Sequence, residues 1–247
     1  ALSWIRLLPI GPSRMQTWII TGASRGLGRH LALRFAARGD HVLACAREAQ
    51  RLELLARNPN PGRITPVVFD LADAAQIRHK LLAAIAAAGG VDGVINNAGI
   101  GEYKAFEAHT EDELLRIVQV NLSACMQVCH VVLPFLRARG AGHIVNIGSD
   151  LARRPLANMA AYAATKHGLL GFSHSLLREL RPHGIKVTLV NPGIIDTDFG
   201  GATEGTRDPH GSLQPAQLAA LIEALVSQPG NMLIDETTVH PLGQSGF

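Results

Sequence analysis

Short apolar runs alternate along this chain with longer stretches in which apolar positions recur every three or four residues. The runs fall at 18–21, 41–46, 64–69, 94–96, 143–147, 186–190 and 232–239, and each predicts a strand. Helical periodicity fills the segment from the first glycines to 38, then 48–57, 74–88, 111–139, 160–181 and 215–227. Val67-Val68-Phe69 is apolar on both faces, as a strand is when helices cover both sides of its sheet. Strands joined through helical crossovers imply βαβ units and a parallel sheet with right-handed connections. No repeat and no linker breaks residues 15–247, which read as one α/β domain. Residues 1–14 stand apart. Trp4, Ile5, Leu7 and Leu8 are followed by Pro9, Gly11 and Pro12, without the long apolar core and cleavage site of a signal peptide. We expect 1–14 to be a non-native or disordered extension upstream of a start at Met15.

Composition narrows the class. Hydrophobic residues make up 47% and charged residues 17%, the reverse of the balance that keeps a chain disordered. The formal net charge is +3 and the basic residues are scattered rather than striped, so no nucleic-acid partner is expected. No uninterrupted apolar run reaches the roughly 18–20 residues a bilayer demands, so no membrane partner is expected either. Three cysteines are too few and too odd in number for a disulfide scaffold, and they read as reduced thiols in a cytoplasmic setting. Cys125 and Cys129 are four apart but have no further ligands at metal spacing, and the histidines form no H-x-x-x-H framework. No metal site is expected.

Candidate chemistry begins where the first strand runs into Thr21-Gly22-Ala23-Ser24-Arg25-Gly26-Leu27-Gly28. Glycines at 22, 26 and 28 would permit a tight turn, let backbone approach a pyrophosphate, and seat the helix close to the sheet. The helix that follows points unpaired N–H groups and the positive end of its dipole at such a ligand. A carboxylate at the end of the second strand would bind a free ribose 2′-hydroxyl. Here the strand ends in Ala46 and Arg47, and Arg25 sits in the cradle, so two guanidiniums favour a ribose phosphate. Glu48 lies one residue further on and reads as the start of the next helix. The cofactor expected is NADP(H) rather than NAD(H).

Tyr162 and Lys166 lie four apart at a helix start and so share a face. A neighbouring ammonium favours phenolate and is expected to pull the tyrosine toward neutral pH, where it serves as an acid/base. Ser149, at the end of the fifth strand, would donate to a substrate oxygen as it gains charge. Asn121 sits inside a helical stretch, an unusual place for a residue that favours caps, where it would hold a water or distort the helix.

Taken together, Thr21–Gly28, Asn96-Asn97-Ala98-Gly99, Asn121, Ser149, Tyr162-x-x-x-Lys166 and Asn191-Pro192-Gly193 resemble the ordered motifs of the short-chain dehydrogenase/reductase superfamily. The resemblance covers about residues 16–240, and 161–180 is similar to bacterial 3-oxoacyl-carrier-protein reductases and carbonyl reductases. It implies a Rossmann-like doubly wound sheet of seven parallel strands with three helices on each face. It implies that Tyr162 passes the proton, Lys166 tunes Tyr162 and bonds the nicotinamide ribose, Ser149 polarises the carbonyl, and Asn121 holds a relay water. Gly22, Ser24, Arg25, Gly26, Leu27 and Gly28 would line the pyrophosphate and adenosine side. Asp70 and Leu71 match the adenine contact; Asn97, Ala98 and Gly99 would flank its ribose; Pro192, Gly193, Ile195 and Thr197 would orient the nicotinamide. Arg47 matches the NADP-preferring pattern.

The same resemblance implies a homodimer or homotetramer built on 111–139 and 160–181, whose Val128, Val131, Val132, Leu169, Leu170 and Phe172 suit a subunit contact. Substrate walls are expected from Ile100, Leu151, Leu156 and Ile194, with the Gly-rich segment 199–212 as a mobile lid. Arg153 and Arg154 lie on the active-site side and would attract an acidic substrate or carrier arm, unless they are a solvated loop pair. The expected activity is hydride transfer between nicotinamide and a small carbonyl or secondary-alcohol substrate. An oxoacyl-thioester reductase is a narrower version, and a non-catalytic NADPH-binding regulator is the competing class.

Overall fold

A computed structural model describes residues 15–244; the expected extension at 1–14 lies outside the described residues. Seven strands form: β1 (Thr17–Thr21), β2 (His41–Ala46), β3 (Arg63–Val68), β4 (Gly93–Asn96), β5 (Gly142–Ile147), β6 (Ile185–Pro192) and β7 (Glu236–Val239). All pair in parallel, in the order β3-β2-β1-β4-β5-β6-β7. Between them run α1 (Gly26–Ala37), α2 (Ala49–Ala56), α3 (Ala74–Ala88), α4 (Glu111–Val118), α5 (Ala124–Arg139), α6 (Ala160–Leu180) and α7 (Pro215–Val226). Alternate strand residues feed two cores. Trp18, Ile20, Val42 and Ala44 pack with Leu27, Leu31, Phe35, Leu52, Leu55 and Ile222 of α1, α2 and α7. Ile19, Leu43 and Cys45 pack with Ile77, Leu81, Val128, Val132 and Leu176 of α3, α5 and α6. The fold is the doubly wound sheet that the sequence predicts, with α4 and α5 acting as one continuous helical unit.

Local chemistry explains the boundaries. Asp73 caps α3 by accepting the N–H groups of Ala75 and Gln76 at 3.0 and 3.1 Å, and Gly89 closes it at φ 76°. Thr110 and Glu113 form a reciprocal capping box on α4. Pro66, which has no N–H to give a ladder, is tolerated because β3 is an edge strand. The edge also leaves Val68 exposed, contrary to the two-sided burial its sequence suggested. The last strand starts at 236 rather than 232, because Met232 is held in a turn onto the Pro229 carbonyl.

The run 111–139 is long and apolar enough to cross a bilayer by length and composition, but half of its apolar window is buried in the protein. A π-helical turn, Gln119–Ser123, interrupts it. Gly168 of α6 meets that turn so closely that a Cβ would stand 2.8 Å from Leu122. Val128, Val131, Val132 and Leu169, assigned above to a subunit contact, are buried inside the chain's own core. Leu115, Val118 and Met126 are the exposed apolar residues of α4 and α5. Cys125 and Cys129 join a buried amide ladder: Asn96 donates to Asn146 at 2.9 Å, Asn146 donates to Ser173 at 2.9 Å, and both thiols contact it at 3.3–3.4 Å.

The start of α1 packs closely on the turn that follows β1. A Cβ on Gly28 would lie 2.1 Å from the Gly22 carbonyl oxygen. Gly28→Ala is expected to cost about 1–3 kcal/mol of stability in urea titrations, since backbone rather than a mobile side chain must yield; an unchanged midpoint would show that α1 shifts freely.

Candidate active site

The strand order turns outward in both directions from β1 and β4, and in open α/β sheets such a switch point leaves a crevice at the carboxyl ends of the strands. A cleft of about 510 Å³ opens there. Its first wall is the glycine turn. Gly22 has φ +67°, and a Cβ there would stand 2.9 Å from Ala98 Cα; Gly26 has φ +50°, with its Cβ position 3.1 Å from Thr197. No side chain caps α1, so its first-turn N–H groups are left for a ligand. Gly22, Ser24, Arg25, Gly26 and Leu27 line the cleft. Gly28 does not, because it faces the strand. A cradle closed to side chains and open to backbone donors fits a dinucleotide's pyrophosphate.

Arg47, Asp70, Leu71, Asn97, Ala98 and Gly99 line the next stretch. Asn97 holds the seam between β1 and β4: its side chain donates to the Thr21 carbonyl at 2.9 Å, and the N–H groups of Asn97 and Ala98 both donate to the Thr21 hydroxyl at 3.0 Å. Asp70 pairs with Arg47 at 3.9 Å and with Arg116 at 3.6 Å. Arg25 reaches Asp198 at 4.0 Å. Glu48 departs from its expected part. It does stand at the N-terminal boundary of α2, but its side chain caps nothing there and accepts the Ser24 hydroxyl at 2.9 Å within the cleft. Burial opposes its charge, but Ser24, its own N–H, Arg47 and Arg25 together hold the carboxyl below its usual range.

At the far end of the cleft stand Ser149, Tyr162 and Lys166, all buried side chains that line it. Lys166 donates to the Ile147 carbonyl at 2.8 Å, and its ammonium lies 5.5 Å from the Tyr162 ring centre. Burial pushes Lys166 down to about 8. Burial also pushes the Tyr162 phenol up, with Tyr103 adding to the rise and the Ser149 hydroxyl opposing it. That is the reverse of the expected lowering: desolvation dominates, and the Lys166 ammonium is not among the groups that oppose it. Ser149 donates to Asp150 at 3.1 Å and accepts the Leu151 N–H at 3.2 Å. Asn121 does not line the cleft. Its carboxamide accepts from the Ile100 N–H and donates to the Ile100 carbonyl, both at 2.8 Å, which locks the π turn to the loop after β4. A void of about 10 Å³, the size of one water, adjoins it.

Pro192, Gly193, Ile195 and Thr197 line the same end, and so do the expected walls Ile100, Leu151, Leu156 and Ile194. Tyr103 meets the Tyr162 ring edge-on and Phe199 lies tilted against it, with ring centres 6.1 and 5.7 Å away. Burial pushes the Tyr103 phenol up to about 12, against the pull of the Arg207 guanidinium. The segment 199–212 is anchored rather than loose at its neck: Ile195 bridges Leu213, and buried Asp196 accepts the N–H groups of Gly205 at 3.0 Å and Arg207 at 3.4 Å. Arg153 is engaged away from the cleft, in a two-pronged pair with Glu236 at 2.7–3.0 Å.

The sequence profile described as short chain dehydrogenase matches residues 16–208. The chain belongs to that family. It is 36% identical over 186 residues to an oxidoreductase, BOA17, of Botryotinia fuckeliana, a match spanning 75% of this chain and 68% of that protein. It is 33% identical over 227 residues to the 3-oxoacyl-[acyl-carrier-protein] reductase FabG of Salmonella typhimurium, spanning 89% and 93%. Among solved structures, an alcohol dehydrogenase from the archaeon Thermococcus sibiricus complexed with 5-hydroxy-NADP superposes with a TM-score of 0.90 and 26% identity, over 95% of this chain and all of that one.

This short-chain dehydrogenase is therefore an oxidoreductase of the hydride-transfer type, built around a nicotinamide-cofactor cleft. Several of the residues around that cleft escape a sequence reading. Tyr103 is one of only two tyrosines and follows the Asn96–Gly99 motif at a strand end, which is signal enough to have found it. Phe199 and Arg207 fall in the 199–212 segment expected as a lid, but no periodicity singles them out within it, and none announces Gln244. Ligand atoms of Glu102, His109 and Glu113 gather within 4.8 Å of one another where the loop after β4 meets the first turn of α4, and the Lys104 ammonium, 2.7 Å from Glu113, already supplies a positive charge there.

Proposed function

We infer that this short-chain dehydrogenase is NADP(H)-dependent and interconverts a carbonyl compound and its secondary alcohol, with Tyr162 as the acid/base. The observation that carries this reading is the meeting of the glycine cradle and the Ser149–Tyr162–Lys166 group in one cleft. Gly22, Ser24, Arg25, Gly26 and Leu27 would hold the pyrophosphate side, Asp70 to Leu71 and Asn97 to Gly99 the adenosine, and Pro192, Gly193, Ile195 and Thr197 the nicotinamide. When bound, the nicotinamide supplies or accepts a hydride at carbon.

The protein's part is orientation and the proton. A phenol held above its ordinary range keeps its proton at neutral pH and is a donor. Reduction generates an alkoxide far more basic than any phenolate, so Tyr162 can still protonate it. Ser149 turns its hydroxyl from Asp150 to the substrate oxygen, where it steadies the developing charge. Lys166 stays cationic at neutral pH and stabilises the phenolate left behind. Asn121 acts through Ile100 and the π turn, and the water-sized void beside it is room for a relay. The phosphate preference rests on Arg47 and Arg25; Glu48 works against it, and a phosphate would have to compete with Asp70 and Asp198 for the two guanidiniums.

Tyr162→Phe is expected to bind NADPH, read by its fluorescence, yet lose about 10²–10⁴-fold in turnover; full turnover would contradict the assigned acid. Lys166 is charged below about 8 and neutral above, so kcat/KM for reduction should hold at neutral pH and fall as pH rises through that value. The fall would not be unfolding. The unfolded lysine holds its proton to about 10.5, so between the two values the unfolded state binds more protons and this group makes the fold more stable as pH rises. A flat profile would remove the ammonium from the account. Arg47→Asp should shift the ratio of NADPH to NADH efficiency toward NADH, and Glu48→Gln toward NADPH; ratios unmoved in both would place the ribose elsewhere.

A further inference from the structure

The charged groups that line the cleft are committed to partners, with one exception. Arg25 has Asp198, Arg47 and Arg116 share Asp70, Glu48 has Ser24, and Lys166 has the Ile147 carbonyl. Asp150 accepts from Ser149 at 3.1 Å and from Gln244 at 2.7 Å, and His240 approaches it at 3.5 Å. Arg207 lines the same cleft, and among the described residues no carboxylate is in ion-pair contact with its guanidinium. Its Nε is buried and has no hydrogen-bond partner. The residue as a whole is half-buried, and a buried polar atom that nothing satisfies is rare in native structures.

The placement of Arg207 is built in. Asp196, 3% exposed, accepts the backbone N–H of Arg207, and the Ile195–Leu213 bridge closes the loop beneath it. The Arg207 guanidinium acts on the Tyr103 phenol, and the Tyr103 ring meets that of Tyr162 edge-on with centres 6.1 Å apart. The same cleft has apolar lining from Phe199, Leu156 and Met159 and from the Tyr103 ring. An apolar chamber with one unmatched guanidinium describes its own complement: an apolar body that ends in an anion.

We propose that Arg207 receives the carboxylate of the substrate, so that this enzyme works on an oxo acid and its hydroxy acid rather than on neutral ketones. The guanidinium fork matches a carboxylate with two parallel N–H···O bonds. A phosphate dianion fits less well, because a single guanidinium leaves one of its two charges unmatched. The chemistry at the carbonyl is unchanged: carbon gains the hydride and oxygen gains the Tyr162 proton. The inference rests on the oxidoreductase reading above and narrows its substrate.

The test measures NADPH-dependent reduction of phenyl-bearing α- and γ-oxo acids, each paired with its own primary amide. Wild type should favour at least one acid over its amide by about 10–100-fold in kcat/KM. Arg207→Met should bring that ratio close to one, and Arg207→Lys should keep part of it. NADPH fluorescence reports a folded cofactor site in each variant. If Arg207→Met fails to fold, the wild-type ratio and the Arg207→Lys variant still decide. Amides reduced as well as or better than every acid, or a ratio that Arg207→Met leaves intact, overturns the inference alone. NADPH bound with neither acid nor amide reduced overturns the oxidoreductase reading and this inference with it.

Discussion

The chemistry of this protein depends on how closely the start of α1 approaches the seam between β1 and β4. Thr21 and Asn97 latch that seam, and Gly22 and Gly28 let the helix backbone sit where any side chain would collide. Because the helix cannot back away, its unpaired N–H groups are fixed at the mouth of the crevice. The same constraint brings the ends of β4, β5 and β6 to one rim, so Gly99, Ser149 and Gly193 come from distant parts of the chain yet line one cavity. Backbone proximity, not side-chain chemistry, comes first here; the reactive groups are placed on a frame that only glycine permits.

At the other end of the crevice the governing effect is desolvation. Lys166 and Tyr162 are both buried, and burial moves them toward their neutral forms from opposite sides, down for the ammonium and up for the phenol. A buried ammonium that bonds a carbonyl oxygen is a standing cost to the fold. Such costs collect at functional sites, where the group's availability for charge matters more than stability. The aromatic pair Tyr103 and Phe199 deepens the effect by covering Tyr162. Burial keeps the phenol protonated at neutral pH and leaves the lysine at about 8.

Most of the architecture was legible because burial is periodic. Runs such as Trp18-Ile19-Ile20 can only be strands between two helix layers, and the glycine turn announces its own backbone. What escaped follows from contacts that no local pattern encodes. Glu48 sits where a helix starts, yet its carboxylate turns back to Ser24, a partner 24 residues away. Val128 and Val132 look alike in sequence whether they meet the core or another subunit; the register of α5 on the sheet decides, and it sends them inward. Arg207 enters the cleft because Asp196 anchors an irregular loop, a relation visible only once Leu213 is seen beside Ile195. The tyrosine's shift was misjudged because its neighbour in sequence was clear and the rings that bury it were not.

We propose that this cleft moves a hydride between cofactor and a carbonyl carbon while Tyr162 handles the proton. Incubation with NADPH deuterated at the transferable position of its nicotinamide and a panel of oxo acids and ketones, followed by mass spectrometry, tests it directly. The account predicts one deuterium on the carbinol carbon of a product and none elsewhere. Cofactor bound in the cleft, with no deuterium in any product of the panel, would contradict it.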